Sequence, residues 1–449
     1  MLNPQTSIWA PYRPSESAPW NLKRVVHLHR RAAFAAPWDV LQRDLVDGPR
    51  AAVDRLLKGD ESPAFESMAQ TIGEAAMVSG SPGRLKAWWV YRMLMSPDPL
   101  GERLTLMWHN HFATSNRKVQ DLVLMREQND LLRKQARAPF GELLTAVVKH
   151  PAMLAWLDAD SNRKGHPNEN LARELLELFT LGVGNYSETD VKGAARALTG
   201  WTIVGGRFAY REARHDIGEI DLFGTQGPLT GDGLLEQLLN HPGTSKRLAW
   251  RICQTFLGED VVTRAALDEL ADGLAERELN IGWAVETVLR SRLFFSIENM
   301  RSRVLGPTEY VVGVLRALEL REPPPSTLVL AEWASRMGQD LFYPPNVGGW
   351  NEGRAWLATR TVVARANFAD ALVSGRLWRP AREPEPDALV HRHSQLDKLA
   401  EHVNWLAKLL WGECPEEATA PIVKAARSAE APLPKALALL LTRPEHSLA

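Results

Sequence analysis

The stretch from Trp108 to Asp216 constrains the fold of this chain most, because titratable and polar side chains there are interleaved with long apolar helical runs. It contains WHNHF from Trp108 and NENLARELLELF from Asn168. At about 100° per residue, the apolar residues of the second run occupy most of the circumference of a helix. A helix that is apolar over so much of its surface is largely buried. The sequence therefore predicts a helical core organised around this stretch.

Apolar residues recur at helical spacing along most of the chain, which predicts an all-α, multi-helix globular bundle. Ser187 and Asp190 form a predicted capping box for a helix that ends near Thr199. One segment differs, because TIVGGRFAYR from Thr202 alternates around Gly-Gly. This alternation predicts a single small β hairpin inserted among the helices.

Proline-rich segments divide the chain into four predicted regions. Residues 1–20 form an irregular N-terminal arm, 21–378 the main helical domain, 379–387 a Pro/Glu linker, and 388–449 a short helical tail. The tail contains the amphipathic run LDKLAEHVNWLAKLLWG. Because the tail follows a linker, we expect the main domain to fold without it.

Charge and composition exclude several classes of protein. The net charge is −1, which favours neither a nucleic-acid partner nor an anionic membrane surface. The two cysteines, Cys253 and Cys414, are expected to be lone thiols. No apolar run approaches the roughly 18 residues of a transmembrane helix. Met1 to Trp20 contains no apolar segment typical of a secretory signal, so the chain as given is expected in the cytoplasm.

The helix after Asn168 carries a narrow polar stripe of Asn170, Arg173, Glu174 and Glu177. On a helix that is otherwise buried, such a stripe is either a thin solvent face or a buried polar site. Buried carboxylates require cations, hydrogen-bond donors or a metal. Pairing of Arg173 with Glu177 four residues later would satisfy them structurally. A metal ligand or catalytic base is the alternative, with Glu174 and Glu177 as the candidates.

The two histidines of the WHNHF segment are candidates for the same site. Residues i and i+2 of a regular helix point about 200° apart, so His109 and His111 can share a metal only if the helix ends there. Otherwise one histidine packs or caps while the other reaches the site. We take His111 as a further candidate catalytic residue.

Further polar residues lie on predicted loops beside this helix. Asp158, Asp160 and His166 precede it, and His215 and Asp216 follow the predicted hairpin. Carboxylates with imidazoles suit divalent metals, here Mn, Fe, Zn, Mg or Ca. Helix capping and turn formation are the alternative roles for these residues. The full set of predicted metal ligands is His109, His111, Asp158, Asn170, Glu174, Glu177, His215 and Asp216.

Several established motifs are missing from the sequence. It contains no Glu-x-x-His pair in the central helix and no His-Glu-x-x-His zinc motif. It also lacks a Gly-x-Ser-x-Gly elbow and a phosphate-binding Gly-Lys-Ser/Thr loop. The segment YPPNVGGWNEGRAW from Tyr343 is not placed to bind a nucleotide, and we expect a rigid wall with Trp350 and Trp356 as apolar surfaces.

These blocks resemble the bacterial domain-of-unknown-function 1800 family. The resemblance rests on WHNHF, HPAMLAWLD, the block from NENLARELLELF to ALTGW, and the later His215-Asp216 pair. HLHRRAAF from His27, GPTEYVVGVLRAL from Gly306 and MGQDLFYPPNVGGW from Met337 extend it over roughly residues 20–370. The resemblance implies a fold and candidate site positions, and it implies no particular reaction.

Two functions of different classes follow from these observations. The first is a metal-dependent enzyme, hydrolytic or oxidative, with its site between WHNHF and the Glu174–Glu177 face. The second is a non-catalytic binding or assembly protein. Members of the resembled family are similar to proteins that are often encoded beside domain-of-unknown-function 1501 proteins. The domain-of-unknown-function 1501 proteins look like exported proteins with a phosphatase or sulfatase fold. Export with such a partner would place the protein in the periplasm.

Overall fold

A computed structural model describes residues 7–449 of the chain. Over this range the protein forms 23 α-helices and two antiparallel hairpins. The predicted all-α class is confirmed, although the sequence indicated only the first hairpin. The first six residues of the predicted N-terminal arm lie outside the described residues. The rest of the arm is irregular up to Trp20 and contains no helix or strand.

The first half of the described chain runs through eleven α-helices. They are α1 (Leu22–Ala32), α2 (Trp38–Lys58), α3 (Pro63–Ser79), α4 (Pro82–Met95), α5 (Pro99–His111), α6 (Asn116–Val119), α7 (Leu122–Lys134), α8 (Phe140–Val148), α9 (Pro151–Trp156), α10 (Asn170–Glu174) and α11 (Glu188–Ala197). A π-helix, Leu175–Thr180, continues α10 directly.

The second half begins with the hairpins and continues in helices. The strands are β1 (Trp201–Val204), β2 (Arg207–Tyr210), β3 (Ile220–Leu222) and β4 (Thr225–Gly227). The helices are α12 (Gly231–Asn240), α13 (Pro242–Phe256), α14 (Arg264–Ala275), α15 (Ile281–Arg290), α16 (Pro307–Ala317), α17 (Thr327–Arg336), α18 (Thr359–Val373), α19 (Pro386–His393), α20 (Leu399–Trp411), α21 (Glu416–Ala426), α22 (Pro432–Thr442) and α23 (Pro444–Ser447). Short 3-10 turns lie at Ala159–Ser161, Glu212–Arg214 and Gly353–Leu357.

Local sequence signals start many of these helices. Proline occupies the first turn of α3, α4 and α5, where its missing N–H has no partner to lose. The side chains of Ser62, Ser81 and Asp98 cap the same three helices. The capping box of Ser187 and Asp190 at the start of α11 is confirmed. Such caps satisfy backbone N–H groups that have no partner within the helix.

The two hairpins lie beside α11. Trp201 pairs with Tyr210 and Val204 with Arg207 in the first hairpin. Gly205 and Gly206 both have positive φ, +57° and +75°, as a tight two-residue turn requires. The second hairpin packs directly on α11, since a Cβ added at Gly193 would lie 2.3 Å from the backbone oxygen of Asp221.

Helix α1 lies between two apolar clusters that together form the core. Leu28 and Ala32 belong to the cluster built from the central helices and the hairpins. Val25 and Val26 belong to the cluster built from α4, α16, α18 and the C-terminal helices. Both Cys253 and Cys414 are free thiols, as expected. No helix in residues 7–449 is both long and apolar enough to cross a bilayer.

The C-terminal tail packs into this core, which argues against the prediction that the main domain folds without it. Leu406, Leu410 and Leu440 are buried in the second cluster. The Arg30 guanidinium donates to the backbone oxygens of Leu410 and His446 at 2.5 and 2.6 Å. The amphipathic run that the sequence showed thus turns its apolar side inward against α1.

Deletion of residues 388–449 is expected to abolish cooperative folding of the remaining chain. The deletion would expose the apolar faces of α1 and α18 and leave the buried Arg30 without its carbonyl acceptors. Circular dichroism and a thermal melt of the truncated protein test this. A truncated protein that melts sharply at the wild-type temperature would contradict it.

Single substitutions within α20 provide a milder test. Leu410→Ala is expected to lower the free energy of unfolding by about 2–5 kcal/mol, as for other buried leucines. Lys408→Ala is the matched control, because Lys408 is exposed on the same helix and should change it by less than about 0.5 kcal/mol. Equal effects of the two changes in a denaturant titration would show that α20 is not part of the core.

Candidate functional site

The central helix changes its hydrogen-bonding pattern at Glu174. The regular turns of α10 end there and the π-helix follows, with the Leu181 N–H donating to the Leu176 oxygen at 2.8 Å. The Thr180 hydroxyl donates to the oxygen of Leu175, five residues earlier. Helices of this width are rare and are found frequently at functional sites. The sequence predicted one regular α-helix, which is correct only up to Glu174.

Glu174 is half-buried at the junction of the two helix types. Within residues 7–449 its carboxylate forms no hydrogen bond or ion pair with another side chain. Burial and the neighbouring Glu177 raise the pKa of Glu174, and Arg173 opposes them. The carboxylate is thus partly withdrawn from water and has no cation of its own.

Glu177 accepts a hydrogen bond of 2.5 Å from the Tyr186 hydroxyl. Burial and the adjacent carboxylate raise the pKa of Tyr186 to about 12, so this phenol stays a donor at neutral pH. Tyr186 escaped the sequence analysis because it lies on the loop after the π-helix. A tyrosine close to a predicted carboxylate site was the one signal that could have indicated it.

Arg173 does not pair with Glu177, contrary to one sequence interpretation. Its guanidinium contacts Glu188 at 2.8 Å and Glu169 at 2.9 Å. Glu188 begins α11, so this pairing ties α10 to α11 across the surface. The polar stripe is therefore a half-exposed face with an ion-pair network, from which Glu174 is left out.

His109 lies in the core, away from any polar partner. Neither ring nitrogen forms a hydrogen bond. The rings of Trp89, Phe342 and Trp350 surround it, with centroids 5.1–5.5 Å away. Burial lowers the pKa of His109 to about 3, so the ring is neutral. Its environment is that of an aromatic core residue.

His111 points in a different direction and holds the end of the π-helix. Its Nε2 lies 3.1 Å from the backbone oxygen of Phe179. A carbonyl only accepts, so Nε2 carries the proton and donates it. Burial, together with Arg251 and Arg247, lowers the pKa of His111 well below its usual value. The two histidines therefore have separate surroundings, as their spacing on a continuous helix requires.

The remaining predicted ligands also have structural partners. Asp158 contacts Lys118 at 2.7 Å and accepts from the Asn170 amide at 3.0 Å. His215 is buried, with Nδ1 3.0 Å from the Thr199 oxygen. Asp216 pairs with Arg196 at 2.8 Å, which lowers the pKa of Asp216. These contacts fix the loops on either side of α11.

The predicted metal ligands do not come together in the part of the chain that the structure describes. Residues 7–449 contain no group of three or more His, Cys, Asp or Glu side chains placed to hold a metal ion. Glu174 lies beside Glu177, and Asp158 beside Asn170, whereas His109, His111 and His215 lie elsewhere. The residues present thus do not fit a metal held by three or more side-chain ligands of these types.

The Gly-Gly-Trp loop is fixed on the WHNHF helix by Asn110, which the sequence analysis did not single out. The Asn110 side-chain oxygen accepts from the Trp350 N–H at 2.6 Å, and its amide donates to Glu352 at 2.8 Å. A Cβ at Gly349 would lie 2.2 Å from that oxygen, so glycine is required there. Trp350 and Trp356 are buried, and their apolar surfaces belong to the second core cluster.

Comparison with known proteins adds a family and no function. Residues 27–448 match a family model described as "Protein of unknown function (DUF1800)". No curated protein and no solved structure gives a significant match. The match extends beyond the blocks recognised in the sequence and includes the C-terminal helices.

The buried neutral histidines predict a loss of stability in acid. The pKa of His109 is near 3 in the folded protein and about 6.5 when the chain is unfolded. The unfolded chain therefore binds the extra proton as the pH falls from about 6.5 towards 3. Over this window the residue removes about 1.4 kcal/mol of unfolding free energy per pH unit. Relative to wild type, His109→Phe is expected to flatten this slope, measured by denaturant titration at several pH values.

His166→Asn is the matched control, because His166 is exposed on a loop. It should leave the slope unchanged. Identical pH slopes for wild type and His109→Phe would show that the His109 ring does not stay neutral in the fold.

Proposed function

The chain belongs to the DUF1800 family, and we propose that it is a non-catalytic binding or assembly protein. Its docking site is the carboxylate pair Glu174 and Glu177 at the start of the π-helix. The ligand is a cationic group carried by a partner protein. The proposal rests on one observation, the half-buried Glu174 carboxylate that has no cation within the described chain.

The buried carboxylates of Glu102 and Glu309 are each neutralised by two arginines. Glu102 contacts Arg92 at 2.9 Å and Arg133 at 2.7 Å. Glu309 is held between Arg103 and Arg303, each at 2.8 Å. Such pairing offsets the cost of removing a charge from water.

Glu174 has no such ion pair within the described chain, although Arg173 precedes it in the sequence. Arg173 is held by Glu169 and Glu188 instead. An external Lys or Arg would give Glu174 the counter-charge that the fold supplies to Glu102 and Glu309. The site thus favours a partner that contributes a cation.

A protein similar to the domain-of-unknown-function 1501 proteins is the candidate partner that the family resemblance implies. Val183, which is exposed in the loop after the π-helix, provides an apolar contact beside the carboxylates. A small apolar contact next to a charged pair is typical of a protein interface. The partner's basic side chain and an apolar neighbour would both be covered on binding.

A metal-dependent enzyme, hydrolytic or oxidative, is the second candidate. The observation that favours it is that Glu177 raises the pKa of Glu174, because two neighbouring carboxylates also attract a divalent cation. Mn, Fe, Zn, Mg or Ca would have to take its remaining ligands from solvent or substrate, with Glu174 as ligand or base. The histidines that were expected to complete such a site are in the core.

Glu174→Gln is expected to leave the stability of the isolated protein unchanged or raised. The change removes a charge that has no partner and keeps the shape of the side chain. Glu309→Gln is the matched control, because it leaves two buried arginines without their carboxylate and should cost about 3–5 kcal/mol. Thermal and denaturant unfolding of both variants measure this. A loss for Glu174→Gln as large as that for Glu309→Gln would place Glu174 in a structural ion pair.

Titration with ligands separates the two functions. In calorimetry, the binding function predicts that this protein binds the phosphatase- or sulfatase-like partner, a domain-of-unknown-function 1501-like protein. Glu174→Gln should weaken this binding by about tenfold or more, as for the loss of a charge-assisted contact. Mn, Zn, Fe, Mg and Ca should leave the melting temperature unchanged. A metal-dependent rise in the melting temperature that Glu174→Gln abolishes would instead support the metal-dependent enzyme.

A further inference from the structure

Helix α11 joins two surface regions of opposite charge. The acidic pole lies at its N-terminal end and consists of Glu169, Glu174, Glu177 and Glu188 around Arg173. Three cations accompany these four carboxylates, because Arg173 pairs with Glu169 and Glu188 and because Lys192 and Arg247 lie near Glu188 and Glu177. The pole therefore keeps an excess of negative charge.

The basic pole lies at the C-terminal end of α11. It consists of Arg163, Lys164, Arg211 and Arg214, all exposed. The Lys164 N–H donates to the Arg214 backbone oxygen at 2.8 Å, which holds the two loops together. None of the four side chains has a hydrogen-bond or ion-pair partner within residues 7–449, and Glu212 is the one carboxylate in the 211–214 run.

Helix α11 contacts the two regions through residues on one of its sides. Glu188, Lys192 and Arg196 follow one another at spacings of four residues, so they form one stripe along the helix. Glu188 contacts Arg173 of the acidic pole, and Arg196 holds Asp216 and the Glu219 oxygen beside the basic pole. Ten helical residues place the two ends about 15 Å apart.

Exposed apolar residues accompany each pole. Val183 is 79% exposed beside the acidic pole, and Ile217 is 71% and Tyr210 45% exposed beside the basic pole. An aliphatic side chain such as Ile217 offers nothing to a nucleic-acid or sugar-acid backbone. It suits a protein surface on which charged and apolar groups alternate.

We propose that this two-pole face binds the same face of a second copy of the chain in a twofold dimer. The acidic pole of each copy then contacts the basic pole of the other, because a twofold axis makes each such contact twice. The face carries both kinds of charge, so it is complementary to the same face of a second copy. The inference rests on the proposed docking role of Glu174, and it makes a second copy of the chain, rather than a domain-of-unknown-function 1501-like protein, the partner at that site.

The dimer is expected to be sensitive to salt. Exposed ion pairs contribute little individually, and the pairing depends on two sets of them acting together with the apolar contacts. At about 1 M salt the screening length falls to about 3 Å. Analytical ultracentrifugation should therefore show dimer at low salt and monomer at high salt.

A charge exchange tests the proposed contact directly. Glu174→Lys alters the acidic pole, and the double change Arg211→Glu with Arg214→Glu reverses the basic pole. Each variant alone should be monomeric, since both of its contacts become unfavourable. An equimolar mixture should form a heterodimer, because each interface then again joins opposite charges. Recovery in the mixture also shows that both variants are folded.

Three results would overturn the dimer. They are a wild-type chain that is monomeric at all concentrations, single variants that dimerise like wild type, and a mixture that fails to recover. If a monomeric chain bound the domain-of-unknown-function 1501-like protein at Glu174, the dimer would also be refuted, but the proposed function would stand. Loss of all Glu174-dependent binding would refute the proposed function itself. Lys408→Glu, an exposed change on α20, is the control that should leave dimerisation intact.

Discussion

Buried arginines that donate to backbone carbonyls hold this fold together. Arg31 is fully buried and reaches the oxygens of Phe256 and Asn299 at 3.0 and 2.8 Å. Arg316 does the same at the end of α4, donating to the Leu94 oxygen at 2.9 Å. The last carbonyls of a helix have no partner within it and carry partial negative charge. A guanidinium with five N–H donors can satisfy several of them at once.

This arrangement explains the HLHRRAAF run of α1, which the sequence analysis used only as a mark of resemblance. Arg30 and Arg31 join α1 to the C-terminal helices and to the end of α13. His29 contacts Asp44 of α2 at 2.7 Å. The run places successive side chains around the helix, so α1 contacts several distant segments at once. The same geometry makes the tail part of the core.

The sequence predicted the features that local interactions determine. Helix α11 began at its capping box, and the Gly205-Gly206 turn closed the first hairpin. It did not predict the second hairpin, because Ile220–Gly227 is short and its packing against Gly193 is a long-range contact. The π-helix also depends on its surroundings, since His111 binds the Phe179 carbonyl from another helix.

For the candidate site, sequence reasoning predicted one group of residues, whereas the structure places them in several different surroundings. Helical spacing correctly put Glu174 and Glu177 on one stripe. It could not show that Arg173 turns to Glu188, which is distant in sequence, or that His109 lies among Trp89, Phe342 and Trp350. Titratable residues near one another in sequence were taken as one site, whereas the fold uses most of them to join helices.

Several interior charges of this fold have partners, whereas some surface charges have none within the described residues, and this difference supports the proposed position of the functional site. The fold pairs the interior carboxylates of Glu102 and Glu309 with arginines and directs other buried arginines to carbonyls. Charges that this scheme leaves without a partner are therefore not needed for folding. Glu174 and the loop cations Arg211 and Arg214 are such charges, and they lie at opposite ends of α11. Helix α11 is fixed to the core on one side and lies between these unpaired charges, which is the arrangement behind the proposed docking role.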